Sequence, residues 1–258
     1  MICENIFNEL MERAKGYTYS SMNYLEFDEC KNAEILADDD GLILLQDKSK
    51  IPMMIYFATD NFEKIVKIIA KMSGHMRLHF VPKEYVKDLQ ELGFAEWGEY
   101  ADFWNTDLVR TAEKFGALAE LNYLSLAECG AASVVTTSCM LQSRGFEGAL
   151  PEFYEEWLNK GNHVIIQRVG SVIAGVCCVT IYDNGTTLHI REIAVGPKYQ
   201  GRGLGKKLME QGIKYGVENG AVKGFLLADV LNENAIDLYR KYDFYLKDGE
   251  TELQMLRD

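Results

Sequence analysis

Proline is scarce, with 4 residues in 258, and no Pro/Gly/Ser-rich linker separates one half of the chain from the other. No apolar run approaches the roughly 20 residues needed to span a bilayer, which argues against a membrane protein. There is no C-x-x-C, and the 6 cysteines are thinly spread, with Cys177 and Cys178 adjacent inside an apolar run. Buried, reduced thiols of a cytoplasmic protein are the expectation. The 4 histidines (His75, His79, His163 and His189) show no metal-ligand spacing with those cysteines, so no metal is expected. Positive charge is also short. The 27 Lys and Arg face 39 Asp and Glu, a net charge of −12, which argues against a nucleic-acid partner. Glu4, Glu9 and Glu12 do not suit a secretory signal.

What is present is the text of a folded α/β protein. Nearly half of the residues (48%) are apolar, more than a disordered chain carries. In the first half an amphipathic helix is expected over 4–15. Strands are expected at "MNYLEF", "GLILLQD" and "MMIYFATD". A helix over 61–72 follows with Asn61 as its N-cap, then a strand "HMRLHFV", a helix over 83–92 ending at Gly93, and a strand "EWGEYADFW". The second half has the same order in longer form. Helices are expected around 126–141 and 151–160, followed by strands "HVIIQRV", "VIAGVCCVTIY" and "TLHIREIAV". Asp183-Asn184-Gly185 supplies the hairpin turn. Then come a helix from Gly203 to Asn219, a strand "GFLLADV", a helix "ENAIDLYRKY" and a strand "ETELQML". The recurrence reads as a duplication, with chance repetition of a common α/β unit as the alternative. The division is expected at 112/113, giving domains 1–112 and 113–258.

The segment Ile190–Gln211 carries the chemical signal. A strand ends at Val195, Gly196-Pro197 turns it, and Gln200-Gly201-Arg202-Gly203-Leu204-Gly205 opens a helix. A helix start leaves its first amides unpaired at the positive end of the macrodipole, which makes an anion site. Glycines let a phosphate approach the backbone, and Arg202, Lys206 and Lys207 add charge. Lys207 stands where a Walker A loop needs Ser or Thr, and Gly201-x-Gly203-x-Gly205 differs from the dinucleotide-binding spacing. A strand–helix turn with no ligand is the alternative.

"AVGPKYQGRGLGKKLME" resembles the acyl-CoA-binding motif of the GNAT superfamily of N-acetyltransferases, through Gln200, Gly203 and Gly205. "NENAIDLYRKYDF" resembles the family's later motif, through Asn232, Ala235, Leu238, Tyr239 and Phe244. The resemblance covers about residues 115–258. The family's glycine before the final Phe is Asp243 here, so altered loop geometry is expected. The implied fold class is α/β (α+β), with two tandem GNAT-like domains. Each would be a mixed, mostly antiparallel twisted sheet flanked by helices, and the first a degenerate copy with no CoA loop.

The resemblance implies transfer of an acetyl group from acetyl-CoA, as cosubstrate, to a primary amine of a small molecule or peptide. Cofactor binding falls to Ile193, Ala194, Val195, Gln200, Gly201, Arg202, Gly203, Leu204, Gly205, Lys206, Asn232 and Tyr239. The Val195 amide is the donor to the thioester oxygen and Tyr239 the general acid. Core packing is the alternative for Tyr239, and a helix cap for Asn232. His189 is the first candidate base and Glu192 the second. Alternation puts His189, Arg191 and Ile193 on one face and Glu192 on the other, unless a bulge shifts the phase. Phe146, Phe153, Tyr154 and Trp157, beside Glu147, Glu152, Glu155 and Glu156, suit a cationic acceptor, or form an ordinary helix with a solvated acidic face. A non-catalytic acyl-CoA-binding sensor is the alternative function.

Overall fold

The apolar run Leu42–Asp47 is buried along its whole length because helices cover its strand on both faces. The structure, a computed structural model, describes every residue except 1, 24, 117–119 and 145–147. It divides into two compact units, residues 1–101 with 250–258, and residues 102–249. Among the described residues, no helix is long and apolar enough to cross a membrane.

Unit 1 comprises α1 (Glu4–Ala14), β1 (Tyr19–Ser20), α2 (Phe27–Cys30), β2 (Glu34–Asp39), β3 (Leu42–Asp47), β4 (Met53–Thr59), α3 (Phe62–Ile69), β5 (Met76–Leu78), α4 (Val86–Glu91) and the start of β6 (Phe94–Asn105). Leu42 and Leu44 pack with Phe62, Ile65 and Ile69 of α3, while Ile43 and Leu45 pack with Phe7 and Leu10 of α1. Among the described residues of 22–27 the expected strand does not form; Phe27 opens α2 instead, behind a capping box between Glu26 and Glu29. β2, which pairs antiparallel with β3, was not anticipated because its residues are mostly exposed and polar.

Unit 2 comprises the end of β6, α5 (Leu108–Ala112), α6 (Cys129–Arg144), α7 (Pro151–Asn159), β7 (His163–Val169), β8 (Val172–Tyr182), β9 (Thr187–Val195), α8 (Leu204–Glu218), β10 (Lys223–Asp229), α9 (Glu233–Arg240) and the start of β11 (Tyr245–Arg257). β7, β8 and β9 form an antiparallel meander, and α8 crosses over to β10, which is parallel to β9. Unit 1 repeats this plan, with β2, β3 and β4 as the meander, α3 as the crossover, and β5 parallel to β4. Each sheet is therefore mixed and mostly antiparallel, flanked by helices.

The last strand of each unit comes from the other half of the chain. In unit 1 the C-terminal end of β11 lies beside β5, with Met255 opposite Leu78. In unit 2 the end of β6 lies beside β10, with Trp104 packed on Phe225. The chain accordingly divides at Ala101/Asp102, not at 112/113, and Glu250–Asp258 belongs to the first unit. Strand text reads the same whichever sheet it joins, so the sequence carries no mark of this exchange.

Asp243 holds a left-handed backbone (φ 58°), a conformation a glycine adopts without strain. Its carboxylate accepts from the Thr111 hydroxyl at 2.8 Å and pairs with the Lys114 ammonium, and these partners offset the cost of that conformation.

Because Met255 is fully buried in the core of unit 1, Met255→Ala is expected to cost about 2–5 kcal/mol of that unit's stability. Urea unfolding measures it, and a substitution without effect would show that the terminal strand is dispensable to the first unit.

Candidate active site

β9 carries one residue more than β8 between two stretches of regular pairing. Ile190 pairs with Val179 and Glu192 with Cys178, leaving Arg191 as the bulged residue. Before the bulge, Leu188 and Ile190 face α8, where they approach Gly216 and Gly212. After it, Ile193 pairs with Cys177, which also faces α8. The extra residue thus moves Glu192 onto the face that carries His189, covered there by α6 and α7, and sends Ile193 to the other. The expected arrangement, His189 with Ile193 and Glu192 opposite, is corrected by this single insertion.

The two candidate bases meet different surroundings. His189 lies between the rings of Phe225 (5.1 Å) and Tyr182 (6.2 Å). Burial, aided by the nearby Arg191 charge, pushes its imidazole down to about 4. It is neutral at pH 7 and a weak base. Burial pushes the Glu192 carboxyl up to about 7, opposed by the Arg191 charge and by the Tyr154 hydroxyl, which lies 3.4 Å from Glu192 Oε2. A carboxylate that titrates near neutrality is matched to proton abstraction at that pH.

Tyr239 on α9 is buried, with its ring against Phe103 at 6.3 Å. Burial and the Cys177 and Cys139 thiols push its phenol well up, so it holds its proton at neutral pH. Cys139, which sequence reasoning passed over, sits on α6 with its thiol against the Val195 amide. It is half-buried rather than buried, and Cys3 is exposed; the other four cysteines are buried. Arg191 was likewise not singled out as a site residue, and Tyr154 was expected to face an acceptor rather than Glu192. No spacing rule marks them, because they reach the site through the bulge and the packing of α7.

β9 and β10 pair only over Thr187–His189 and Lys223–Phe225, and past His189 they part. The main chain of Ile193, Ala194 and Val195 therefore lies beyond the paired stretch. The Gln200 side chain donates to the Val195 carbonyl at 3.0 Å and ties the loop to the strand end. Gly201 (φ 72°) and Gly203 (φ 76°) hold left-handed conformations with open space where a Cβ would stand. Gly203 is the N-cap of α8 and supplies no side-chain cap; the first turn closes with the Lys207 amide on the Gly203 carbonyl. The Leu204, Gly205 and Lys206 amides precede that bond. Arg202 stands over the Tyr199 ring at 5.7 Å.

The corresponding start of α3 in unit 1 is different. The Asn61 side chain accepts from the Glu63 amide at 3.0 Å, and the Thr59 hydroxyl accepts from the Asn61 amide at 3.0 Å. That helix start is closed by its own chain. Asn232 caps α9 in the same way, accepting from the Ala235 amide at 3.1 Å.

Of the aromatic residues around α7, Phe146 lies, with Glu147, outside the described residues. Tyr154 is fully buried, and Phe153 and Trp157 stack at 5.9 Å with the Arg191 guanidinium over both, at 5.2 and 5.6 Å. Glu152, Glu155 and Glu156 are exposed. The rings thus already hold a cation of the chain itself, and the acids form a solvated face.

Residues 136–244 match the acetyltransferase (GNAT) family model. A conserved protein of unknown function from Staphylococcus epidermidis shares the fold at a TM-score of 0.59 and 14% identity, covering 92% of this chain and 99% of that one. An acetyltransferase of the GNAT family from Colwellia psychrerythraea does so at 0.58 and 9%, covering 99% and 97%. A tandem GNAT protein from the clavulanic acid biosynthesis pathway matches at 0.55 and 10%, covering 84% and 78%. These likenesses show a fold of the GNAT type. The matched segment lies within unit 2, and the general chemistry of the family it matches is acyl transfer.

A carboxyl raised on folding binds more protons in the folded than in the unfolded chain between about pH 4.5 and 7, so its contribution to stability falls as pH rises through that window. His189, depressed on folding, acts in the opposite direction from about pH 4 to 6.5 and is common to both proteins in the comparison. Glu192→Gln is therefore expected to gain up to about 3 kcal/mol on the natural protein between pH 4.5 and 8. Thermal unfolding at the two pH values measures the difference, and equal effects at both would show that the carboxyl is not raised.

Proposed function

We propose that this chain transfers an acetyl group from acetyl-CoA to the primary amine of a small molecule by direct attack. The observation that carries the reading is the start of α8, an uncapped, glycine-lined helix N-terminus set beside the parted strands of unit 2. The amides from Gln200 to Lys206, with Arg202, Lys206 and Lys207 nearby, suit the diphosphate of a CoA thioester. The Ile193–Val195 main chain would line the arm that carries the thioester, and the Val195 amide would stabilise the developing oxyanion. Asn232 adds its side-chain amide beyond the cap bond it already makes.

Glu192 takes the proton from the ammonium. Most alkylamines are charged at pH 7, and a carboxylate titrating near 7 yields a useful fraction of free amine. His189 walls the acceptor side rather than acting as base. Tyr239 hydrogen-bonds the leaving sulfur. Full transfer from a phenol raised by burial is uphill, so its part is to lower the charge on the thiolate as the bond breaks.

Unit 1 is a degenerate GNAT-like copy. It repeats the strand and helix order, but the start of α3 is self-capped and lacks the glycine loop and basic cluster, so it binds no CoA. Free thiols at all six cysteines suit a reducing, cytoplasmic setting.

Incubation with acetyl-CoA and a panel of polyamines, aminoglycosides, amino acids and peptides, read as free thiol, tests the reading. Turnover on at least one amine is expected. Glu192→Gln should lower kcat/KM by about 10²–10⁴-fold, and Tyr239→Phe should lower kcat. Affinity for acetyl-CoA without turnover on any amine would favour a non-catalytic sensor, and no affinity would overturn both. Bound acetyl-CoA is also expected to shield the Cys139 thiol at the Val195 amide. Alkylation of Cys139, but not of exposed Cys3, should slow when the cofactor is added, as peptide mass mapping would show.

A further inference from the structure

Tyr154 is fully buried, and its hydroxyl lies within reach of two acceptors. Glu192 Oε2 is 3.4 Å away and Thr136 Oγ1 is 3.2 Å away. A phenol has one proton, so it serves one of them at a time. Thr136, also fully buried, has its own outlets, because its hydroxyl reaches the Ser133 carbonyl at 3.1 Å and the Ala149 carbonyl at 3.4 Å. The three side chains come from β9, α7 and α6 and form a line from the base into the interior of unit 2.

We infer that Tyr154 is a positioning residue for Glu192, its O–H turning between the carboxylate and Thr136 as the carboxylate loses and gains its proton. When Glu192 is ionised, Tyr154 donates to it and Thr136 donates to a carbonyl. When Glu192 carries the proton it donates to the Tyr154 oxygen, Tyr154 donates to Thr136 Oγ1, and Thr136 still donates to Ser133 or Ala149. Every polar atom of the line is satisfied in both states. No proton passes along the line; between the two states only the Tyr154 hydroxyl hydrogen turns. A buried base otherwise loses a partner on each change of charge, at a cost comparable to an unmade hydrogen bond.

This rests on the reading of Glu192 as the base, and it adds the device that keeps both of its protonation states available. The other titratable groups around Glu192 are Cys139 on α6, Cys177 and Cys178 on β8, and Arg191 on its own strand. Burial raises all three thiols, so they stay neutral near pH 7 and do not change state in the window in which Glu192 titrates.

The two substitutions that break the line have opposite signs. Tyr154→Phe removes a donor to the ionised carboxylate, so the Glu192 midpoint moves up by about one pH unit. Thr136→Val removes the acceptor that Tyr154 needs when Glu192 is protonated, so the midpoint moves down. Thr136→Ala does the same with less bulk against the ring, should valine disturb folding. Thr136→Ser keeps the hydroxyl and leaves the midpoint in place.

The full chain, labelled with ¹³C at the glutamate carboxyls, reads the midpoint by NMR titration, with Glu192 assigned by its loss in Glu192→Gln. Opposite shifts for Tyr154→Phe and Thr136→Val, with none for Thr136→Ser, are expected. Shifts in the same direction, or no shift, would overturn the inference. The titration needs no turnover, so its outcome is separate from that of the amine assay. Where turnover is present, the acid limb of kcat/KM against pH moves with each midpoint.

Discussion

One extra residue in β9 decides what the rest of unit 2 can do. With regular pairing throughout, Glu192 would face α8 among aliphatic side chains and His189 would stand alone on the other face. Arg191 takes up the additional position, and the phase of every residue after it is reversed. The reversal brings a carboxyl under α6 and α7, where it is desolvated and meets a tyrosine, and it lays the Arg191 guanidinium across Phe153 and Trp157. The insertion follows the point past which β9 no longer pairs with β10. A local irregularity of one residue thus sets the surroundings of Glu192.

The two units show how little separates a helix start that can receive an anion from one that cannot. Both follow a buried strand, and both open the crossover to a parallel neighbour. In unit 1 the Thr59 and Asn61 side chains occupy the amides, which suits stability and leaves nothing for a ligand. In unit 2 glycines hold the turn, and no side chain covers the helix end. Leaving those donors uncovered costs the free protein stability that a bound phosphate would return.

Much of the fold was legible in the sequence where a pattern has a single physical meaning. The runs at 53–59, 163–169 and 172–182 become strands, Asn61 caps its helix, and Asp183-Asn184-Gly185 makes the turn with positive φ at all three residues. What failed was text whose meaning depends on distant partners. Glu34–Asp39 is too polar to read as a strand, yet β3 pairs with it. The stretch around 22–27 is apolar enough for a strand, but a capping box turns its end into a helix. At the site, the glycine loop was visible because backbone chemistry is written in residue type. The face on which Glu192 lies was not, since an inserted residue leaves no mark in composition or spacing. Cys139, and the contact of Tyr154 with Glu192, were missed for a similar reason, because α6 and α7 bring them to β9 only through packing.

The exchanged last strands bear on how such a chain is made. Leu253 and Met255 complete the core that Leu42, Phe57 and Phe62 begin, so the first unit to leave the ribosome lacks part of its interior until residues 250–258 have been made. The amino-terminal half must wait, partly assembled, through the synthesis of everything that follows. Loss of residues 250–258 would leave the second unit whole and the first with its apolar interior open to water.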